Sequence, residues 1–126
     1  MDLNQITLDV RDLGESLAFY RLLGLRLIVL SPENGYARFE LPSGSTTLSL
    51  HETPAAVAAG AALYFEVEDV DRRHALLQAA GVVFDTMPAD QDWRWREAWF
   101  RDPTGHRLCL FHAGPDRRFP PWRLGS

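Results

Sequence analysis

The strongest constraint on this chain is an internal duplication at an offset of 57 positions, seen in Val10 against Val67, Asp12 against Asp69 and Gly24 against Gly81. Residues 6–12 alternate apolar and polar side chains, as a strand with one buried face does. They run into a helically spaced segment over 13–23. The pattern returns as a strand over 63–69 and a helix over 70–80. Asp12 and Asp69 suit helix N-caps, where a carboxylate accepts orphan N–H groups, and Gly24 and Gly81 suit left-handed C-caps. Leu13, Leu17 and Tyr20 are expected on the buried face of the first helix, and Val70, Leu76, Leu77 and Ala80 on that of the second.

After each helix the sequence predicts three further strands, at 25–30, 36–41 and 46–51 and then at 82–85, 95–101 and 107–112. Pro32-Glu33-Asn34-Gly35, Pro42-Ser43-Gly44 and Asp102-Pro103-Thr104-Gly105 read as turns. Each half is then β-α-β-β-β. Two copies at this spacing predict an α+β fold of two modules whose mixed, curved sheets surround a cleft, since a solenoid needs at least three shorter repeats. The expected organisation is one domain, with modules over 3–52 and 61–112, an alanine- and glycine-rich linker over 53–60 and an extended tail over 113–126. In the tail Pro120-Pro121 precludes regular structure. Phe119 and Trp122 need somewhere to bury, on the body, on a partner chain or as a lid.

Composition excludes several classes of function. The 126 residues carry a net charge of -4, so the surface is not built to attract nucleic acid. All 13 basic residues are arginines, which rules out lysine-based Schiff-base or nucleophilic chemistry. No apolar run reaches the length of a membrane span, the N-terminal residues lack the pattern of a signal peptide, and the single cysteine, Cys109, permits no intrachain disulfide. A cytoplasmic protein is expected.

Four segments resemble the vicinal oxygen chelate superfamily of glyoxalase I, bleomycin-resistance proteins, fosfomycin-resistance enzymes and extradiol dioxygenases. They are Ile6-Thr7-Leu8-Asp9-Val10 with Asp12-Leu13, the run from Ser16 through Phe19-Tyr20 to Leu23-Gly24-Leu25, Phe65-Glu66-Val67-Glu68-Asp69-Val70, and Phe100-Arg101-Asp102-Pro103-Thr104-Gly105. The resemblance covers about residues 3–112 and implies that family's fold. One fold there hosts lyases, dioxygenases, transferases and binding proteins, so function has to come from the site. The resemblance places the family's metal-ligand positions at Gln5, Ser49, Ala62 and Cys109. An amide, a hydroxyl, a methyl and one thiol are a poor set for a divalent cation, so neither metal nor other cofactor is expected. The four histidines show no paired ligand spacing and are expected at the surface or at strand ends, with His51 a ligand only if the register slips by two.

Strand alternation assigns the faces. Gln5, Thr7 and Asp9, then Tyr36, Arg38 and Glu40, Thr47, Ser49 and His51, Ala62, Tyr64 and Glu66, Trp95, Glu97 and Trp99, and Arg107, Cys109 and Phe111 should face the cleft. The candidate ligand-binding residues are Gln5, Arg38, Ser49, Tyr64, Glu66, Trp95, Trp99, Arg107 and Cys109. Aromatics provide stacking area and a few polar groups fix orientation, which suits an organic ligand with a flat portion. The plainer alternatives are aromatics that fill the sheet or make a dimer contact, and Arg38, Glu40 and Glu66 pairing with one another.

Three functions remain open, with no catalytic residue assigned. The first is a metal-independent binding protein for a small aromatic or polar organic molecule. The second is a lyase or isomerase using Asp9, Glu66 or Glu97 as general base and Arg38 as electrophile. The third is a structural or interaction protein with a filled cleft. A homodimer is expected, because modules of the resembled family pair within or across chains.

Overall fold

A computed structural model describes residues 1–58 and 60–125; Ala59 of the expected linker and Ser126 of the tail lie outside the described residues. Contacts divide the chain into one unit of Met1–Gly60 with Asp102–His106, and a second of Ala61–Arg101 with Arg107–Ser126.

In the first unit, β1 (Gln5–Val10), α1 (Leu13–Leu22), β2 (Arg26–Ser31), β3 (Tyr36–Glu40) and β4 (Thr47–Glu52) follow the expected order. The sheet order is β1-β4-β3-β2, with β1 parallel to β4 and the other pairs antiparallel. Alternation works as the strand period requires: Leu8 and Val10, Ala37 and Phe39, and Leu48 and Leu50 are buried, while Thr7, Asp9 and Glu40 are exposed. Asp12 caps α1 by accepting the Glu15 N–H at 2.9 Å, and Gly24 follows the helix at φ 92°. The buried face of α1 is Leu13, Ser16 and Tyr20, with Leu17 only half-buried.

The segment Asp102–His106 is held by one carboxylate. Asp102 Oδ1 accepts the N–H groups of Thr104, Gly105 and His106 at 2.9–3.0 Å, and Oδ2 accepts the Tyr20 hydroxyl at 2.7 Å. Gly105 has φ 106°, which no other residue type adopts cheaply. Thr104 accepts the Arg11 N–H at 3.1 Å, and His106 Nε2 lies 2.7 Å from the Asp9 carbonyl, so that nitrogen carries the ring proton. Burial, reinforced by the Asp102 carboxylate, pushes the Tyr20 hydroxyl well above the usual tyrosine range. Tyr20 is thus a buried neutral donor.

The second unit repeats the plan with β5 (Ala62–Glu66), α2 (Val70–Ala79), β6 (Ala89–Asp90), β7 (Arg96–Arg101) and β8 (Arg107–His112), in the order β5-β8-β7-β6. Asp69 caps α2 through the Arg72 N–H at 3.0 Å, and Gly81 follows at φ 102°. Ala98, Phe100, Leu108 and Leu110 are buried on the helix side of this sheet.

Four expectations need correction. The sixth strand is not at 82–85 but at Ala89–Asp90. Phe84 forms only an isolated bridge to Phe100, and the Asp85 and Thr86 N–H groups both turn to the Trp99 carbonyl. Pro88 has no N–H to continue that ladder, and pairing resumes at the next residue, with Ala89 and Asp90 against Glu97 and Arg96. The second correction concerns α2, whose buried face is Val70, His74 and Leu77, while Leu76 is 57% exposed and Ala80 is exposed. His74 occupies the position four residues after Val70 and three before Leu77, and its ring lies 4.3 Å from Phe84. Third, His106 is also buried, by the contact with Asp9 already described. Fourth, the tail opens with a 3₁₀ turn over Gly114–Arg117 instead of running extended, and Phe119 and Trp122 remain 66% and 56% exposed.

Candidate functional site

The open face of the second sheet is aromatic because its three long strands place every second residue there. Register aligns Tyr64 on β5 with Cys109 on β8 and Trp99 on β7, and in the next row Glu66 with Phe111 and Glu97. The Tyr64 ring meets Trp99 at 5.3 Å and Trp95 at 5.9 Å edge-on, and Trp95 stacks on Phe111 at 4.5 Å. Trp95 and Trp99 pack against the buried cluster of Cys109, Phe111 and Ala113. Beside them lies a cavity of about 730 Å³, lined by Tyr64, Thr86, Met87, Ala89, Gln91, Trp93, Trp95, Glu97, Trp99 and Arg107.

Glu97 is the electrostatic centre of this cavity. It is only 3% exposed, and its two oxygens accept the indole N–H of Trp93 at 2.7 Å and of Trp99 at 3.1 Å. Trp93 reaches it from the β6–β7 turn, where Arg94 sits at φ 71°, a conformation costly for a residue other than glycine. The Arg107 guanidinium lies over the Trp99 ring, 4.6 Å from its centroid. Burial raises the Tyr64 hydroxyl above its ordinary range, and the nearby Glu97 adds to this while Arg107 opposes it. Burial and Glu97 likewise push the Cys109 thiol up to about 12, so it is a neutral thiol.

The nine candidate residues fall into separate groups. Tyr64, Trp95, Trp99 and Arg107 come together at the cavity, with Cys109 buried behind Tyr64 and Trp99. Gln5, Arg38 and Ser49 belong to the first unit. There Arg38 Nε donates to the Tyr36 hydroxyl at 2.9 Å, which lies 2.9 Å from Ser49 Oγ, and Gln5 donates to Thr7 at 3.2 Å. Burial would raise Tyr36, but the hydrogen bonds from Ser49 and Arg38 and the arginine's charge outweigh it and hold the phenol below its ordinary range.

Glu66 has a different task. It accepts the Ala113 and Gly114 N–H groups at 2.7 and 3.0 Å and pairs with Arg117 at 3.2 Å, anchoring the start of the tail. Burial works to raise its carboxyl, but these donors outweigh it and keep it below the usual glutamate range. In the first unit Glu40 pairs with Arg26, and Arg38 donates to Tyr36. Asp9 is exposed and lies 3.4 Å from His51.

Two features of the cavity escape the face assignment. Trp93 sits in a turn, although 93, 95, 97 and 99 share one parity and that alternation was the available signal. Thr86, Met87, Ala89 and Gln91 enter from the segment around β6, outside the strand expected at 82–85.

The positions where the family's metal ligands fall do not fit a divalent cation. The Ser49 hydroxyl is engaged with Tyr36, the Gln5 amide oxygen accepts from the Thr47 hydroxyl, Ala62 offers no donor atom, and Cys109 is a protonated thiol against the Leu110 carbonyl. Among the described residues, no three His, Cys, Asp or Glu side chains gather where they could hold a metal ion.

The Glyoxalase/Bleomycin resistance protein/Dioxygenase superfamily model matches residues 2–110. An uncharacterized protein of Bacillus subtilis (strain 168), YraH, is 38% identical over 127 residues, spanning 88% of this chain and 98% of that protein. A glyoxalase/bleomycin resistance protein/dioxygenase crystal structure from Nocardioides is 27% identical with a TM-score of 0.78, over 99% of this chain and 90% of that one. A bleomycin-binding protein crystallised with bleomycin shares the fold at 20% identity and a TM-score of 0.70, over 89% of this chain and 98% of that one. With two β-α-β-β-β units, each carrying the order first-fourth-third-second strand, the chain belongs to the glyoxalase/bleomycin resistance protein/dioxygenase superfamily.

Proposed function

We propose that this chain is a metal-independent binding protein for a flat, aromatic organic molecule, held in the cavity of the second unit. The supporting observation is the cavity itself: about 730 Å³, within the range of small-molecule sites, with Tyr64, Trp93, Trp95 and Trp99 as walls and Glu97 and Arg107 as the charged groups. Open volume of this size argues against a sheet face already filled by its own side chains. The fold shared with a bleomycin-binding protein agrees with sequestration. Turnover with Glu66 or Asp9 as general base has less behind it, because Glu66 holds the tail and Asp9 is exposed.

Titrating aromatic acids and glycopeptide-like drugs while following tryptophan fluorescence should give at least one saturable change. No saturable binder in such a panel would remove the reading. The purified protein should also retain no stoichiometric zinc, iron, manganese or nickel after dialysis, by elemental analysis, and should be indifferent to chelators in thermal unfolding.

The chain is proposed to act as a homodimer. Exposed apolar side chains on the edge strand β2, Ile28, Val29 and Leu30, and on the tail, Phe119, Trp122 and Leu124, are surface that a second copy would cover. Light scattering at micromolar concentration should report twice the chain mass; a monomer would refute this. A cytoplasmic location is proposed from the single buried thiol and the lack of any disulfide. Among the described residues no helix is long and apolar enough to cross a membrane.

A further inference from the structure

We infer that the molecule this cavity takes carries a cationic nitrogen, which completes the coordination of Glu97. The inference rests on the cavity being a binding site and adds the charge of its ligand. A carboxylate 3% exposed has lost most of its hydration, and an uncompensated buried charge is costly. Among the described residues its hydrogen-bond donors are two neutral indoles, one on each oxygen. A carboxylate offers about four lone-pair directions, so roughly half of its accepting capacity is unused. Among the described residues no arginine or histidine comes within ion-pair distance of it. The cation on the same wall, Arg107, is placed over the face of Trp99.

The surroundings fit the same ligand. Aromatic faces attract cations through the negative potential above the ring, and the attraction grows where water is excluded. Trp93 and Trp99 donate their N–H groups to a carboxylate, which pushes electron density into both rings and strengthens that potential. Arg107 over Trp99 is this contact already made once by the protein itself. An anionic ligand would instead meet the Glu97 charge in a poorly screened site. The chemistry specified is a primary or secondary ammonium, or an amidinium, next to a flat hydrophobic body.

Three probes on one naphthylmethyl frame separate charge from shape, the first two of them isosteric: 1-naphthylmethylamine, 1-naphthylmethanol and the 1-naphthaleneacetate anion, titrated calorimetrically at neutral pH. The amine should bind roughly tenfold or more tighter than the alcohol, with the acetate weakest, as expected for a charge-assisted bond to a buried carboxylate. In Glu97→Gln the advantage of the amine over the alcohol should disappear while alcohol binding persists. Because that variant alters a buried site, the ratio in the unmodified protein decides alone if the variant does not fold. An alcohol or acetate that binds as tightly as the amine, or an amine advantage that survives Glu97→Gln, would overturn the inference and leave the cavity as a binding site. If none of the three binds, the cavity reading fails and this inference with it.

Discussion

Asp102→Ala is expected to lower the free energy of unfolding by about 3 to 5 kcal/mol, read from the urea midpoint at unchanged slope. The size follows from what the carboxylate holds. Four donors converge on it, the Tyr20 hydroxyl and the N–H groups of Thr104, Gly105 and His106, and Tyr20 itself is fully buried. Alanine leaves the hydroxyl without an acceptor in a place water does not reach, and releases a turn that requires a left-handed glycine. Tyr20→Phe removes one donor together with its need for a partner, so it should cost only about 1 kcal/mol. Asp102→Asn should fall between the two, since the amide oxygen replaces Oδ1 but its nitrogen cannot accept from Tyr20. An Asp102→Ala protein within 1 kcal/mol of the parent, about the value expected for Tyr20→Phe, would show that the turn is held by other contacts.

What could be read from the residues depended on whether the information was local. The caps at Asp12 and Asp69 and the glycines after each helix are fixed by their neighbours within a turn, and they stand where the repeat places them. Strand faces were legible for the same reason, because alternation needs no knowledge of the partner strand. Ala37 and Phe39 against Tyr36 and Arg38, or Ala98 and Phe100 against Glu97 and Trp99, sort as expected.

The failures are non-local. Glu66 points out of the expected face of β5, but its role depends on a turn 47 residues away in sequence, and no spacing rule links it to Ala113. His74, expected at the surface for want of paired ligand spacing, instead lies between Val70 and Leu77 on the buried face of α2 and against Phe84, and its Nε2 has no hydrogen-bond partner there. Trp93 lies beyond the strand. It sits in the turn that contains the left-handed Arg94, and its indole donates to Glu97 from there. Four of the nine candidate residues line the cavity, whereas the place of Glu97 at its centre depends on the two indoles around it, one of them from a turn.

Trp99→Ala is the substitution that tests the site most directly, and it should weaken whichever flat probe saturates the parent protein by about 1 to 3 kcal/mol. Three contacts are lost together. The indole is a wall of the cavity, it donates to Glu97 Oε1, and its ring carries the Arg107 guanidinium. Circular dichroism should show the fold retained, so that the loss reports binding and not unfolding. Two controls give the result its meaning. Trp122 is 56% exposed on the tail and is not a lining residue, so Trp122→Ala should leave affinity unchanged. Arg38 is not a lining residue either and donates to Tyr36, so Arg38→Ala should also leave it unchanged. If Arg38→Ala abolished binding while Trp99→Ala retained it, the ligand would belong to the polar face built by Tyr36, Arg38 and Ser49. If Trp122→Ala alone did so, the tail would carry the site. Loss confined to Trp99→Ala leaves the aromatic cavity of the second unit as the place where this chain meets its ligand.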